Sequence, residues 1–441
     1  MTGQLMKRCN SKFSIILPIT IVLIMTVAAK ATRGRAEPRL QEGDFVAICG
    51  DSITEERIYS VYIEDYLLMC RPAANLRTLQ AGWDGEQAPG FQRRMEYDVL
   101  TLGPNVATTC YGINDGGYSP MTTEKGQRYR DAQRAIVKKF KQNGVRFIVV
   151  GSPGCVDSDT FNNNPADAAM YNKTLAEMRD IARDVAKEEG VVFANVYDPM
   201  IDVMAKTKAK YGRSYHLAGV HGVHPDLNGH LVMAYAFLKA LGCDGDIGTI
   251  TVDMASGHAR ATAGHRILSA AKGVIKVESS RYPFCFFGDP AKPKSTRGVI
   301  EFLPFNQELN RFILAAKNID ADAECKVTWG NVSGQYKGAD LTEGINLAAD
   351  FLDNPFSEPF RRCEEVISKQ QVFETTLTRR LLHNIPDYLR YVPDTKEDLD
   401  NVIEKLCQKD KEMAAASSAS VVPVRHSIKI EIARIRDKGV Q

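Results

Sequence analysis

The chain has 441 residues, of which 44% are hydrophobic and 25% charged, and its formal net charge at pH 7 is +2. This length predicts two or three domains, and the apolar content is that of a soluble globular protein with a large core. The balanced charge leaves no basic patch of the kind that binds nucleic acid.

The first 31 residues follow the order of a secretory signal peptide. Basic residues precede an apolar run at residues 13–29, and Ala29-Lys30-Ala31 offers a small-x-small cleavage site. Cleavage after Ala31 would remove four positive charges and leave a net charge of −2. We therefore expect a secreted or periplasmic protein, with an uncleaved N-terminal membrane anchor as the alternative. Pro18 and the short run argue against a stable membrane span, which needs about 20 apolar residues.

From about residue 44 to residue 241, apolar runs typical of strands alternate with amphipathic helical stretches. The predicted strands are Phe45–Cys49, Ala74–Gln80, Val106–Tyr111, Phe147–Val150 and Val191–Val196. The predicted helices are Glu124–Asn143, Pro165–Glu189, Pro199–Tyr211 and Leu227–Leu241. This alternation predicts parallel strands joined by right-handed crossovers, and therefore a three-layer α/β domain, at residues 40–243. Ligands of such sheets bind at the carboxyl ends of the strands.

The pattern changes beyond residue 243. Short alternating runs joined by Gly, Asn and Asp turns predict a small β-rich module at residues 246–341. Its predicted strands are Ile247–Val252, Val274–Val277, Gly298–Leu303, Arg311–Ala316 and Cys325–Trp329. Residues 342–441 are predicted to form a helical segment. Its two amphipathic stretches are Phe360–His383 and Lys396–Met413, and a low-complexity linker follows at Ala414–Ser420.

The cysteines and two histidines are interpreted as structural. Of ten cysteines, Cys9 lies in the signal, and the other nine form no C-x-x-C pair, so neither a zinc site nor a dense disulfide framework is expected. Cys49 and Cys110 end neighbouring predicted strands and are interpreted as small core residues, although the disulfide pairing stays open. His216 and His230 are interpreted as surface or packing histidines.

The five residues Gly50-Asp51-Ser52-Ile53-Thr54 directly follow the first predicted strand. A serine at this point either caps a helix or serves as a nucleophile, and the local sequence leaves both interpretations open. Asp51 is expected to cap backbone N–H groups of the turn.

Later loops at the same predicted edge of the sheet supply other groups that ester cleavage needs. A serine esterase requires a base, donors for the oxyanion and a group that orients the base. The loops are Gly82-Trp83-Asp84-Gly85, Gly112-Ile113-Asn114-Asp115 and His221-Gly222-Val223-His224-Pro225. Trp83 has three open interpretations: a wall of the acyl pocket, a stacking platform for sugar, or core packing.

In their order and spacing, these four blocks resemble the SGNH (GDSL-type) hydrolase superfamily over residues 44–241. The resemblance implies that Ser52 is the nucleophile and that its own N–H is one oxyanion donor. It implies that the Gly85 N–H and the Asn114 amide are the other donors, and that His224 is the base. It further implies a flavodoxin-like fold and a reaction that needs no metal or organic cofactor.

The last block departs from the D-x-x-H pattern of the family, because His221 stands at the Asp position. In the serine-protease template, replacing this Asp by its neutral amide costs about 10⁴ in kcat. Three interpretations follow. In the first, a backbone carbonyl or water orients a Ser52–His224 dyad. In the second, an acid comes from elsewhere, with Asp226 and Asp157 the nearest candidates. In the third, catalysis is weak or lost. Asp226 also fits the N-cap position of the following helix.

The sequence therefore predicts a secreted serine esterase acting on short acyl esters, chiefly acetyl esters. Many relatives deacetylate carbohydrates, so the resemblance implies an O-acetylated oligosaccharide or polysaccharide, or a small-molecule ester, as substrate. One alternative is a catalytically weak or silent carbohydrate-binding protein of the same fold, and another is a lipase or thioesterase. No nucleic-acid partner is expected, and the oligomeric state stays open.

Overall fold

The structure, a computed structural model, describes residues 40–72 and 75–432. The predicted signal peptide lies outside these residues. A parallel five-stranded sheet in the order β2-β1-β3-β4-β5 forms the centre of the first half. Its strands are β1 Phe45–Gly50, β2 Arg77–Gly82, β3 Val106–Cys110, β4 Phe147–Gly151 and β5 Val192–Ala194. Strands β1, β3 and β4 are buried throughout, which explains their continuous apolar runs.

Helices cover both faces of this sheet. They are α1 Ser52–Glu55, α2 Tyr59–Asp65, α3 Ala88–Asp98, α4 Thr123–Gln142, α5 Pro165–Glu188, α6 Tyr197–Tyr211 and α7 Leu227–Ala240. Alternate residues of β1 point to opposite faces: Phe45, Ala47 and Cys49 pack in a cluster with α3 and α4. Val46 and Ile48 pack with α2 and α7. The three-layer α/β prediction and its flavodoxin-like strand order are confirmed.

Strand register brings three loops to one edge of the sheet. Gly50, the last residue of β1, pairs with Gly82 of β2 and with Cys110 of β3. A Cβ atom on Gly50 would lie 2.0 Å from Thr54 Oγ1 and 2.9 Å from the Cys110 carbonyl oxygen, so only glycine fits here. The loops that follow β1, β2 and β3 therefore leave the sheet side by side.

Two further sheets build the β-rich region. One is mixed, in the order β13-β10-β6-β7, and the other is antiparallel, in the order β12-β11-β14-β9-β8. The strands are β6 Asp246–Asp253, β7 Ala259–Ala261, β8 His265–Ala271, β9 Val274–Ser279, β10 Arg311–Lys317, β11 Glu324–Trp329, β12 Val332–Lys337, β13 Ile345–Asn346 and β14 Val424–Ile432. Short helices lie between them, at α8 Phe305–Glu308, α9 Gly338–Glu343 and α10 Leu347–Asp350.

The predicted strand Gly298–Leu303 is wrong, because this stretch forms turns. The Phe302 and Leu303 N–H groups both donate to the Val299 carbonyl oxygen, at 2.9 and 3.0 Å. Gly298 packs so closely on Tyr215 that a Cβ atom would lie 2.4 Å from the tyrosine hydroxyl. Burial of Val299 and Leu303 thus produced an apolar pattern without strand pairing.

Three long or medium helices complete the chain: α11 Ser357–Thr376, which continues into a π-helical turn at Leu377–Leu382, α12 Ile385–Tyr391 and α13 Lys396–Ser420. The predicted linker Ala414–Ser420 is wrong, since it is the last part of α13. Alanine is the strongest helix former, and Ala414 and Ser417 are buried one turn apart. Strand β14, which the sequence analysis did not predict, then inserts between β9 and β11.

One hydrophobic core connects these parts. It runs from Val46 of the parallel sheet to Trp329 of the antiparallel sheet and Phe360 of α11. Helix α11 covers edge strand β2, where the Gln80 N–H donates to Glu374 Oε2 at 2.7 Å and so satisfies a group that edge strands leave open.

Cys49 and Cys110 are free thiols and are buried as predicted. Within the described ranges, no helix combines the length and the apolarity that a membrane span requires.

Candidate active site

Ser52 begins helix α1 immediately after strand β1. Asp51 is the N-cap, and its Oδ1 accepts the Ile53 N–H at 3.0 Å, so the predicted capping role of Asp51 is confirmed. This cap fixes the turn between strand and helix, while the Ser52 side chain itself stays half-buried. The serine hydroxyl is therefore held at the carboxyl edge of the sheet.

The loop before α7 places His224 against this serine. His224 Nε2 lies 2.8 Å from Ser52 Oγ. The loop is held from two sides: the Asp157 N–H donates to the Gly222 carbonyl oxygen at 2.9 Å, and Gly219 packs against the His224 backbone. A Cβ atom on Gly219, whose φ is +79°, would lie 1.8 Å from the His224 carbonyl oxygen. The histidine position thus depends on glycine at residue 219.

The residues considered for orienting His224 lie elsewhere. His221 is exposed and makes no hydrogen bond to His224. Asp226 occupies the N-cap position of α7, but its Oδ2 bonds to His216 Nε2 at 2.8 Å. Asp157 is fully buried and pairs with Lys208 Nζ at 2.9 Å. In the part of the chain that the structure describes, the ring of His224 has one hydrogen-bond partner, Ser52.

The Gly85 loop and Asn114 lie in contact beside the serine loop. Gly85 has a φ of +68°, which favours glycine at this turn. The Asn114 Nδ2 group donates to the Glu86 carbonyl oxygen at 3.1 Å, and Gln87 Nε2 donates to the Asn114 carbonyl oxygen at 2.9 Å. One N–H of the Asn114 side-chain amide is left for a ligand.

Tyr118 is a residue that sequence analysis missed. Its hydroxyl donates to Asn114 Oδ1 at 3.0 Å, which fixes the rotation of the amide and turns the Nδ2 group to the other side. The Tyr118 ring lies 5.1 Å from Tyr171 and 6.2 Å from Phe161, measured between centroids. Phe161 in turn packs on Gly222 of the histidine loop. A short aromatic cluster therefore connects the Asn114 loop with the His224 loop.

Three carboxyl groups lie beneath the site. Burial raises the pKa of Asp51 to about 8 and that of Asp115 to about 7. Glu86 is neutralised differently, because Arg94 donates to both of its carboxylate oxygens at 2.7 Å. Near neutral pH, Asp51 is mainly protonated and Glu86 is paired with Arg94, so these two groups oppose an oxyanion above them little.

The remaining histidines and Trp83 have structural contacts. His230 is buried, with Nε2 3.0 Å from Glu56 Oε2. Trp83 packs against His383 of the C-terminal segment, with ring centroids 4.5 Å apart, and between the guanidinium groups of Arg94 and Arg379. Because His383 lies 300 residues further along the chain, no local signal could have revealed this contact.

Comparison with known proteins identifies the family. Residues 48–232 match the model of the GDSL-like lipase/acylhydrolase family. Residues 48–232 therefore form a domain of the SGNH (GDSL-type) hydrolase superfamily. This GDSL-type hydrolase is accordingly a carboxylic ester hydrolase. It is 24% identical over 223 residues to the acetylxylan esterase of Geobacillus stearothermophilus, a match that covers 47% of this chain and 95% of the relative.

Solved structures extend the likeness in fold. A gut microbial diltiazem-metabolizing enzyme has a TM-score of 0.68 at 22% identity, covering 90% of the GDSL-type hydrolase and 98% of that protein. The shared fold thus includes much of the β-rich and helical parts. The crystal structure of the Geobacillus stearothermophilus acetylxylan esterase Axe2 has a TM-score of 0.39 at 22% identity, covering 46% and 96% of the two chains.

Proposed function

We propose that this hydrolase is a secreted serine esterase that removes short acyl groups, chiefly acetyl groups, from carbohydrate esters. The observation that carries the proposal is the 2.8 Å approach of His224 Nε2 to Ser52 Oγ at the carboxyl edge of the parallel sheet. The acetylxylan esterase among its relatives supports the acetyl group and the carbohydrate.

In the proposed acylation, His224 Nε2 takes the hydroxyl proton as Ser52 Oγ bonds to the carbonyl carbon of the ester. The negative charge moves to the carbonyl oxygen, where the N–H groups of Ser52 and Gly85 and the side-chain amide of Asn114 donate to it. The bond to the alcohol oxygen then breaks, and the alcohol leaves with the proton from His224.

In the proposed deacylation, His224 takes a proton from water as the water oxygen bonds to the acyl carbon. The bond to Ser52 Oγ breaks, the carboxylic acid leaves, and the proton returns to the serine. Every proton passes through one imidazole nitrogen, so this sequence needs no second titrating residue.

The group that orients the His224 ring distinguishes a Ser52–His224 dyad from a triad with an acid from elsewhere and from weak or lost catalysis. Since Asp226 bonds to His216 and Asp157 to Lys208, the contacts favour a Ser52–His224 dyad over an acid supplied by either carboxylate. A dyad without a carboxylate is expected to be slow beside a full triad. A weakly active, carbohydrate-binding protein is therefore the second candidate function.

Hydrolysis of p-nitrophenyl acetate tests the proposal. Ser52→Ala is expected to abolish the enzymatic rate, and Ser256→Ala, at an exposed serine in the β6–β7 turn, serves as the matched control. Equal rates for wild type and Ser52→Ala would refute the esterase. A rate that rises from acetate to octanoate esters would instead indicate a lipase or thioesterase.

The proposed secretion of the protein is tested by a separate experiment. The predicted cleavage gives a mature chain beginning at Thr32. Mass spectrometry of the protein recovered from the periplasm or medium of an expressing bacterium should show this N-terminus. An intact Met1 in the membrane fraction would support the N-terminal anchor.

A further inference from the structure

A cavity of about 600 Å³ lies beside the proposed site, between the loop at residues 83–87, helix α3 and the start of α12. Ser52, Asn114 and His224 do not line it, but Gly85 does, so the cavity and the proposed oxyanion donors share one loop. Its volume is in the range of sites that hold small organic ligands. The C-terminal segment supplies one wall, which the α/β domain alone would lack.

His383 on this wall is held in a defined orientation. Its Nδ1 lies 3.0 Å from Oδ2 of Asp98, a fully buried carboxyl group that also accepts from Arg94 Nη1 at 3.3 Å. With the proton on Nδ1 donated to Asp98, Nε2 is a hydrogen-bond acceptor. Nε2 has no partner among the residues that the structure describes, so it is available to a ligand hydroxyl.

The α3 wall offers donors that the fold does not use. Arg93 and Tyr97 line the cavity one turn apart, and neither side chain makes a hydrogen bond within the described residues. Arg128 lines it as well, with Nη2 donating to Gln87 Oε1 at 2.7 Å. Unused guanidinium and phenol groups beside a cavity are the kind of polar contact that orients a bound molecule.

Three arginines and four carboxyl groups line the cavity, and the buried Asp98 that holds His383 is one of the four. Arg94 is paired with Glu86 in its floor. At the mouth, the positive Arg93 and Arg128 stand against two exposed carboxylates, Asp84 and Asp387. A strongly anionic ligand would approach those two carboxylates unfavourably. Mixed donors and acceptors without an excess of positive charge instead suit a neutral molecule rich in hydroxyl groups.

We propose that this cavity binds neutral sugar residues on the alcohol side of the ester, so that the C-terminal segment determines which alcohol is accepted. The inference rests on the proposed function for its link to catalysis. The binding itself does not depend on hydrolysis, and the two can fail separately.

Binding calorimetry on the full chain tests the proposal with three neutral probes, xylotetraose, cellotetraose and mannotetraose, and one acidic probe, tetragalacturonate. We expect at least one neutral probe to bind, and Arg93→Ala to weaken its affinity by about tenfold, the loss of one charge-assisted hydrogen bond. Tyr97→Phe should weaken it less, while Tyr388→Phe, at an exposed tyrosine of α12 outside the cavity, is the matched control.

Three results would overturn the inference: no neutral probe binds, tetragalacturonate binds in their place, or Arg93→Ala and Tyr97→Phe bind like the Tyr388→Phe control. The two exchanges on α3 are both partly solvent-facing, and circular dichroism checks that each variant is folded. If neutral probes bind as expected but p-nitrophenyl acetate is not cleaved, the sugar site stands and the esterase proposal fails.

Discussion

Glu64 should make the stability of this protein fall as pH rises. The side chain is buried where α2 meets α11, and it accepts from Gln370 Nε2 at 2.9 Å, Gln371 Nε2 at 2.8 Å and the Thr78 hydroxyl at 2.7 Å. Burial raises the pKa of Glu64 from 4.5 to about 7, and Asp410 nearby also raises it.

The sign follows from proton linkage. The folded protein keeps the Glu64 proton up to about pH 7, whereas the unfolded chain loses it near pH 4.5. The stabilising contribution is therefore complete below pH 4.5 and is lost as pH rises through the folded pKa. Each pH unit in this window costs about 1.4 kcal/mol, so the loss amounts to roughly 3 kcal/mol.

Urea unfolding followed by circular dichroism at pH 4.5 and 7.5 measures this loss. Glu64→Gln removes the titration, and Thr78 can accept from the new amide. The free energy of unfolding of wild type should therefore fall by roughly 3 kcal/mol more than that of Glu64→Gln between pH 4.5 and pH 7.5. Glu365→Gln, at an exposed position of α11, is the control and should show no such change. Equal pH dependence in wild type and Glu64→Gln would refute the reasoning.

Two further predictions concern the positioning of the site. Gly219→Ala should lower kcat at least tenfold, because the new Cβ atom would collide with the His224 carbonyl oxygen. Gly212→Ala is the control, since Gly212 has a similar positive φ but open space around its Cβ position. Equal losses of kcat in both variants would contradict this explanation. Tyr118→Phe should lower kcat about fivefold with KM unchanged, since one hydrogen bond of about 1 kcal/mol to Asn114 is lost. In an Asn114→Ala background the same exchange should have no effect, and an additive loss would show that Tyr118 acts elsewhere.

The first half of the fold was predictable because its signals are local. Buried runs such as Phe147–Gly151 and long amphipathic stretches such as Thr123–Gln142 carry their own periodicity, and their alternation fixes the parallel topology. The edge of the sheet where the serine, glycine and asparagine loops meet follows from that topology.

The second half depended on contacts distant in sequence. Strand β14 forms by pairing with β9 and β11, each about a hundred or more residues away, and its local pattern follows a run of alanine and serine that was interpreted as a linker. Glu374 is buried because its carboxylate meets the Gln80 N–H, a partner 294 residues distant. No window of sequence contains such pairs.

The site was likewise only partly predictable. The approach of His224 to Ser52 agrees with the expected order of the four blocks. His221 and Asp226 were named as orienting groups, and the structure brings neither to the His224 ring. The contribution of Tyr118 escaped notice because a tyrosine four residues after Asn114 carries no recognisable signal until the loop is folded.

Labelling with a p-nitrophenyl phosphonate ester, with mass spectrometry of the adduct, tests the Ser52–His224 dyad most directly. We expect one adduct, on Ser52. It should form at least about 100-fold more slowly in His224→Ala, since the general base is lost, and at the wild-type rate in His221→Ala. An adduct on another residue, or equal slowing in both histidine variants, would contradict this prediction.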